Sequence, residues 1–128
     1  MKKIISTPNA PKAIATYSQA VEAGGMLFVA GQIAIDPSSG KLVEGGIEEQ
    51  TLQVMKNIGA ILEAAGYSYK DVVKTVCLLS NMANYSKVNS IYGTYFPKEP
   101  PARAAYSVSG LPMGSLIEIE TIACRQGG

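Results

Sequence analysis

The sequence predicts an α+β fold, with two helices packed on one face of a mixed β-sheet. Three observations carry that expectation. Two stretches, near residues 51–65 and 85–96, repeat their apolar residues at helical three- and four-residue steps. Other stretches alternate apolar and polar residues or run β-branched, as strands do. The two kinds follow one another in the order ββ-α-β-α-ββ. A chain of 128 residues has room for one domain over 1–128, large enough to form a core without disulfide staples.

The first pair of strands is read from residues 18–35, which carry Gln19, Val21, the run Met26-Leu27-Phe28-Val29-Ala30 and then Ile33-Ala34-Ile35. Gly24 and Gly25 between them signal a hairpin turn. Asp36-Pro37-Ser38-Ser39-Gly40 is a strong turn signal that ends the second strand. From Ile47 the period changes. Thr51, Val54, Met55, Ile58, Ile61, Leu62 and Ala65 form one stripe of an amphipathic helix, and Gly66 stands where a left-handed C-terminal cap is expected. The run VVKTVCLL up to Leu79 is too apolar for a strand with one wet face. Asn81 or Asn84 could cap the second helix, whose stripe is Tyr85, Val88, Tyr92, Tyr95 and Phe96. Pro97, Pro100 and Pro101 stop it. Two strands follow, Ala102 to Val108 and Leu116 to Cys124.

Composition removes several chemistries. With no histidine, Ser-His-Asp, Cys-His and His-metal mechanisms are excluded. Cys77 and Cys124 each sit in an apolar run and read as buried, reduced thiols, which suits a cytoplasmic protein. The opening MKKIISTPNAP breaks after two isoleucines, so no signal-peptide core is expected, and no apolar run approaches a membrane span. Eleven basic and ten acidic residues are scattered without a block of one sign, and tryptophan is absent, which argues against a nucleic-acid partner. Charged residues are only 16% of the chain, against about 25% in an average soluble domain. That shortage suggests that a partner subunit covers part of the surface.

The last strand holds the most informative pattern. In LIEIETIAC, alternation puts Ile117, Ile119, Thr121 and Ala123 on a face suited to the helix layer. Glu118 and Glu120 then fall on the other, beside Leu116, Ile122 and Cys124. Carboxylates among apolar residues fit a subunit interface that holds a polar pocket. Arg103, Ala105 and Ser107 share one face of the preceding strand, which is read as its neighbour in the sheet. If that is the same outer face, Arg103 stands near Glu118. From pattern alone such a pair is more often a structural ion pair.

The segments GQIAIDPSSGKLV (31–43), PARAAYSV (101–108) and IEIETIA (117–123) resemble the Rid family, the YjgF/YER057c/UK114 proteins or reactive-intermediate deaminases. The likeness runs over essentially the whole chain and is nearest to the RidA-like branch, which has this arginine and this first glutamate. It implies a chorismate-mutase-like (bacillus type) α+β fold assembled as a homotrimer with clefts between subunits. The implied activity is hydrolysis of reactive 2-imino acids, the tautomers of 2-aminoacrylate and 2-aminocrotonate, to 2-oxo acids and ammonium, without metal or cofactor. Arg103 would clamp the substrate carboxylate through its planar fork, and Glu118 would position water and pass a proton to the departing ammonia. By the same resemblance the backbone of Gly31 and Ala105 contributes hydrogen bonds, Tyr17 walls the pocket, and Tyr85 and Asn89 line the cleft. Glu120 reads as an interface or rim residue.

Two positions depart from the family pattern. Ala30 stands where a serine is common before GQI, and Ala105 where a cysteine is common two residues after the arginine. Two other functions compete: a non-catalytic trimer that binds a 2-oxo acid and regulates a partner, and the family's older labels of endoribonuclease or translation inhibitor.

Overall fold

The computed structural model describes residues 1–126. Its strands and α-helices are β1 (Lys3–Ile5), β2 (Ala20–Ala23), β3 (Met26–Gln32), β4 (Ile35–Asp36), β5 (Lys41–Leu42), α1 (Ile47–Ala64), β6 (Val72–Leu79), α2 (Tyr85–Tyr95), β7 (Ala102–Ser107) and β8 (Ile117–Cys124). Six strands form one sheet in the order β1-β2-β3-β8-β6-β7, while β4 and β5 pair separately. Within the large sheet β6 and β7 run parallel and every other neighbouring pair antiparallel, so the sheet is mixed.

Local chemistry explains most boundaries. Ala23 pairs with Met26, and the Gly24-Gly25 loop between them has φ of +59° and +76°. A two-residue turn with both φ positive matches the right-handed twist of the strands it joins, and glycine adopts it without strain. Helix α1 ends as its sequence suggests. The Tyr67 N–H donates to Leu62 C=O at 2.8 Å and the Gly66 N–H to Glu63 C=O at 3.0 Å, the two bonds of a Schellman cap. Asn81 accepts the Ala83 N–H through its side chain and caps a short 3-10 turn, from which α2 starts at Tyr85.

Both helices pack on one face of the sheet. The α1 stripe of Val54, Met55, Ile58, Ile61 and Leu62 is buried, as are Leu27, Val29, Ile119 and Ala123 on the strands and Val88, Tyr92 and Phe96 along α2. Burying each such large side chain stabilises the fold by roughly 1.5–3 kcal/mol. Among the described residues no helix is long and apolar enough to cross a membrane.

Four sequence expectations need correction. Strand β1 and the β4–β5 hairpin were not legible, and Ile33-Ala34-Ile35 does not extend β3. Instead the chain leaves the sheet after Gln32, and the Asn57 amide of α1 holds it by donating to Ile33 C=O and Ile35 C=O at 3.2 and 2.9 Å. In the single chain β6 does have one partly wet face: Thr75, Cys77 and Leu79 are buried while Val76 and Leu78 are only half-buried. Cys77 is buried, but Cys124 is only half-buried; both are free thiols. Finally, β7 is not the neighbour of β8. Helix α2 returns the chain parallel to β6, and β8 inserts antiparallel between β3 and β6.

Candidate active site

Arg103 sits on the edge strand β7, where its register partner is Thr75 of β6. Thr75 is buried beneath α2, so Arg103 points to the helix side of the sheet. There α2 offers it Tyr85, Asn89 and Tyr92, spaced i, i+4, i+7 and therefore on one helix face. Arg103 Nη1 donates to Asn89 Oδ1 at 2.9 Å and Nη2 to Tyr85 Oη at 2.5 Å. The guanidinium carbon lies 5.3 Å from the Tyr85 ring centre and 4.9 Å from that of Tyr92. Among the described residues the ion pair is Arg125–Glu22, and no carboxylate meets Arg103. A guanidinium carries five N–H donors, so this half-buried cation keeps donors to spare for an anion.

The groups around it are neutral. Burial raises the pKa of the Tyr92 phenol. Burial likewise pushes the Cys77 thiol up to about 11 despite the opposing charge of Arg103. Cys77 is thus a protonated packing residue at neutral pH, not a thiolate nucleophile. The Val108 N–H donates to Leu79 C=O at 2.9 Å. Alternation along the strand then turns the Ala105 N–H away from β6, toward the open edge of the sheet.

Glu118 belongs to a second cluster. Its register partner is Leu78, one residue out of phase with the row of buried Thr75, Cys77 and Leu79. It therefore lies on the outer face of the sheet, opposite Arg103. The expectation that the two share a face in one chain is overturned by the insertion of β6 and by the parallel register of β7.

What Glu118 does meet is Gly31. Val29 pairs with Thr121 and Gln32 with Ile119, so Ala30 and Gly31 together face Glu120, the two-against-one count of a β-bulge. The Gln32 side chain donates to Ala30 C=O at 3.1 Å across it. At Gly31 an added Cβ would collide with the Glu118 carboxylate. Burial, and second the charge of Glu120, raise the Glu118 pKa above the usual carboxylate value. Tyr17 is half exposed and lies two residues before Gln19, whose carbonyl accepts the Ala30 N–H. It therefore precedes the strand that runs beside the bulge.

Two groups of residues emerge: Arg103, Ala105, Tyr85 and Asn89 on one side, Gly31 and Glu118 with nearby Tyr17 on the other. Tyr92, on the apolar stripe of α2, is buried in the core as that stripe implies, but sequence reasoning missed it as a neighbour of Arg103. Its spacing from Tyr85 and Asn89 was the available signal. Among the described residues no cluster of three or more His, Cys, Asp or Glu side chains could hold a metal ion.

Gly31→Ala tests the second group directly. The new methyl would displace the carboxylate, and a misplacement of about 1 Å costs on the order of 10²-fold in rate. We expect that loss in turnover with an unchanged circular dichroism spectrum; full activity would place Glu118 outside the chemistry.

Comparison with known proteins finds relatives along nearly the whole chain. Residues 7–125 match the family described as endoribonuclease L-PSP. A mouse (Mus musculus) 2-iminobutanoate/2-iminopropanoate deaminase is 52% identical over 125 residues, covering 98% of this chain and 93% of the relative. The crystal structure of a Rid-family protein from Yersinia pestis superposes with a TM-score of 0.95 at 49% identity, covering 98% of this chain and all of that one. That of E. coli TdcF with bound serine superposes with a TM-score of 0.92 at 34% identity, covering 97% and 99% of the two chains.

Proposed function

The chain belongs to the endoribonuclease L-PSP family, the Rid proteins, and from that premise we propose that it is a cytoplasmic enzyme hydrolysing small 2-imino acids to 2-oxo acids and ammonium. The site lies between neighbouring subunits of a homotrimer with a chorismate-mutase-like fold. One observation carries this reading: an arginine that meets no carboxylate among the described residues and a carboxylate of raised pKa occupy opposite faces of one sheet. Each is half of a site that a second copy completes.

The outer face supports assembly. Ile4, Val21, Phe28, Val76, Leu78 and Ile122 lie on it, and Phe28 and Ile4 remain 44% and 52% exposed in the single chain. An apolar surface of this kind on a chain so poor in charge fits burial against another copy. Serine bound to the E. coli relative and the deaminase name of the mouse one both fit a small α-substituted carboxylate.

In the completed site Arg103 holds the substrate carboxylate with two parallel charged hydrogen bonds, and the Ala105 N–H on the free strand edge adds a third donor. The imine carbon then faces Glu118 of the adjoining subunit. The Glu118 carboxylate takes a proton from water as the new C–O bond forms and the C=N electron pair moves to nitrogen. It returns that proton to nitrogen, giving a tetrahedral carbinolamine. It then takes the proton of the new hydroxyl as the C=O bond forms and delivers it to nitrogen as the C–N bond breaks, giving the 2-oxo acid and ammonia, which is ammonium at neutral pH. Orientation and proton transfer suffice because the imine carbon is already electrophilic.

The sign of the pH dependence follows. Glu118 must start as a carboxylate, so the rate falls as pH drops through its raised pKa, placing the acid limb above that of an ordinary glutamate. Glu120→Gln removes the like charge two residues along the same face and should move that limb to lower pH. An unmoved limb in the kcat/KM profile would separate Glu120 from the site.

Turnover separates this function from a 2-oxo acid binder. An amino-acid oxidase generates the imino acid in the presence of semicarbazide, and semicarbazone formation is followed. A hydrolase suppresses the semicarbazone; a binding protein that holds pyruvate without suppressing it would overturn the proposal.

A further inference from the structure

We propose that Thr75 and Tyr92 form a positioning device that sets the angle of the Arg103 guanidinium and so the affinity for the substrate carboxylate; this rests on the reading of Arg103 as the carboxylate clamp. Thr75 Oγ1 and Tyr92 Oη are hydrogen-bonded at 2.7 Å, and both residues are almost completely buried. Tyr92 presents its ring face to Arg103, with the guanidinium carbon 4.9 Å from the ring centre. The ring is fixed twice: by Phe96, whose ring centre lies 4.8 Å away, and at its hydroxyl by Thr75. Thr75 is also the residue of β6 directly opposite Arg103. The strand row that places the arginine backbone therefore also anchors the platform beneath its head group.

This arrangement does what two hydrogen bonds alone cannot. Tyr85 and Asn89 accept from the edge of the guanidinium, and the half-buried Tyr85 ring stands farther from it, at 5.3 Å, with its hydroxyl held by Arg103 itself. A planar, weakly hydrated cation stacks on an aromatic face, so an anchored ring fixes the plane. A bidentate grip on a carboxylate is sensitive to the plane of the fork. Thr121 supplies an internal control. It follows Arg103 and Thr75 in the same row across β7, β6 and β8, it is buried, and its hydroxyl has no partner among the described residues.

The test is calorimetric titration with pyruvate, paired with thermal melting and imine turnover. Thr75→Val and Tyr92→Phe should each weaken pyruvate binding and raise KM about three- to tenfold with kcat unchanged. Thr75→Ser should bind as wild type, and so should Thr121→Val. The double variant Thr75→Val with Tyr92→Phe removes both hydroxyls and leaves no buried orphan, so its melting temperature should recover toward wild type. Its pyruvate affinity should stay low. If affinity recovers together with stability, or the single variants bind as wild type, the pair is structural only. Should Thr75→Val fail to fold, Tyr92→Phe and the double variant decide the question. Arg103→Ala is measured alongside. Lost binding in that variant keeps the clamp reading intact whatever Thr75 does, whereas wild-type binding in it overturns the clamp itself.

Discussion

Arg103→Ala is expected to lower kcat/KM for a small 2-imino acid by about two to three orders of magnitude, the cost of removing one partner from a desolvated charged pair. Most of that loss should appear in KM, and pyruvate binding should fall in parallel. Among the described residues the guanidinium has no carboxylate to hold. Its contacts, Tyr85 and Asn89, are neutral acceptors that orient it. Removing it therefore leaves no buried charge behind, and the fold should survive. Arg103→Lys keeps the charge but offers a point cation where a planar fork is needed, so it should recover only part of the affinity. Steady-state kinetics on both variants, with thermal melting as control, checks this. An unchanged KM in Arg103→Ala would remove the carboxylate clamp from the mechanism.

Glu118→Gln should act on kcat instead. A glutamine matches the carboxylate in size beside Gly31 but can neither take a proton from water nor return one to nitrogen. General acid–base catalysis of this kind contributes on the order of 10²–10⁴-fold. Binding of pyruvate should be little affected, because the carboxylate clamp is intact. The split between the two variants, KM for one and kcat for the other, is the kinetic signature of the division of labour proposed here. Equal turnover in Glu118→Gln would assign proton transfer to another group.

Much of this architecture was legible because its signals are local. The alternation of LIEIETIAC sorts its own side chains into two faces, and the structure buries Ile117, Ile119, Thr121 and Ala123 as expected. The Gly-Gly turn, the α1 stripe and the cap at Gly66 are likewise set within a few residues. What could not be read is non-local. Alternation along ARAAYS shows that Arg103, Ala105 and Ser107 share a face, but not whether that is the helix face. Small residues on both sides leave the strand without an apolar signature. Strand order depends on where β8 inserts, and nothing in its own sequence tells whether its partner is β7 or β6. Three-residue β1 and the two-residue β4 and β5 are too short for a period to show. The residues of the candidate site were named from sequence, yet their distribution over two faces emerged only from the register.

That distribution makes the central claim testable by mixing subunits. At substrate concentrations well below KM, where the rate follows kcat/KM, Arg103→Ala and Glu118→Gln are each expected to be nearly inactive alone. When the two are unfolded together and reassembled in equal amounts, a ring of three with head-to-tail interfaces restores an intact Arg103–Glu118 site at about one interface in four. The account predicts recovery of imine hydrolysis to about a quarter of the wild-type level in the mixture. If the reassembled mixture stays as inactive as its parents, although wild type treated in the same way regains activity, the two residues do not meet across a subunit boundary and the composite site is wrong.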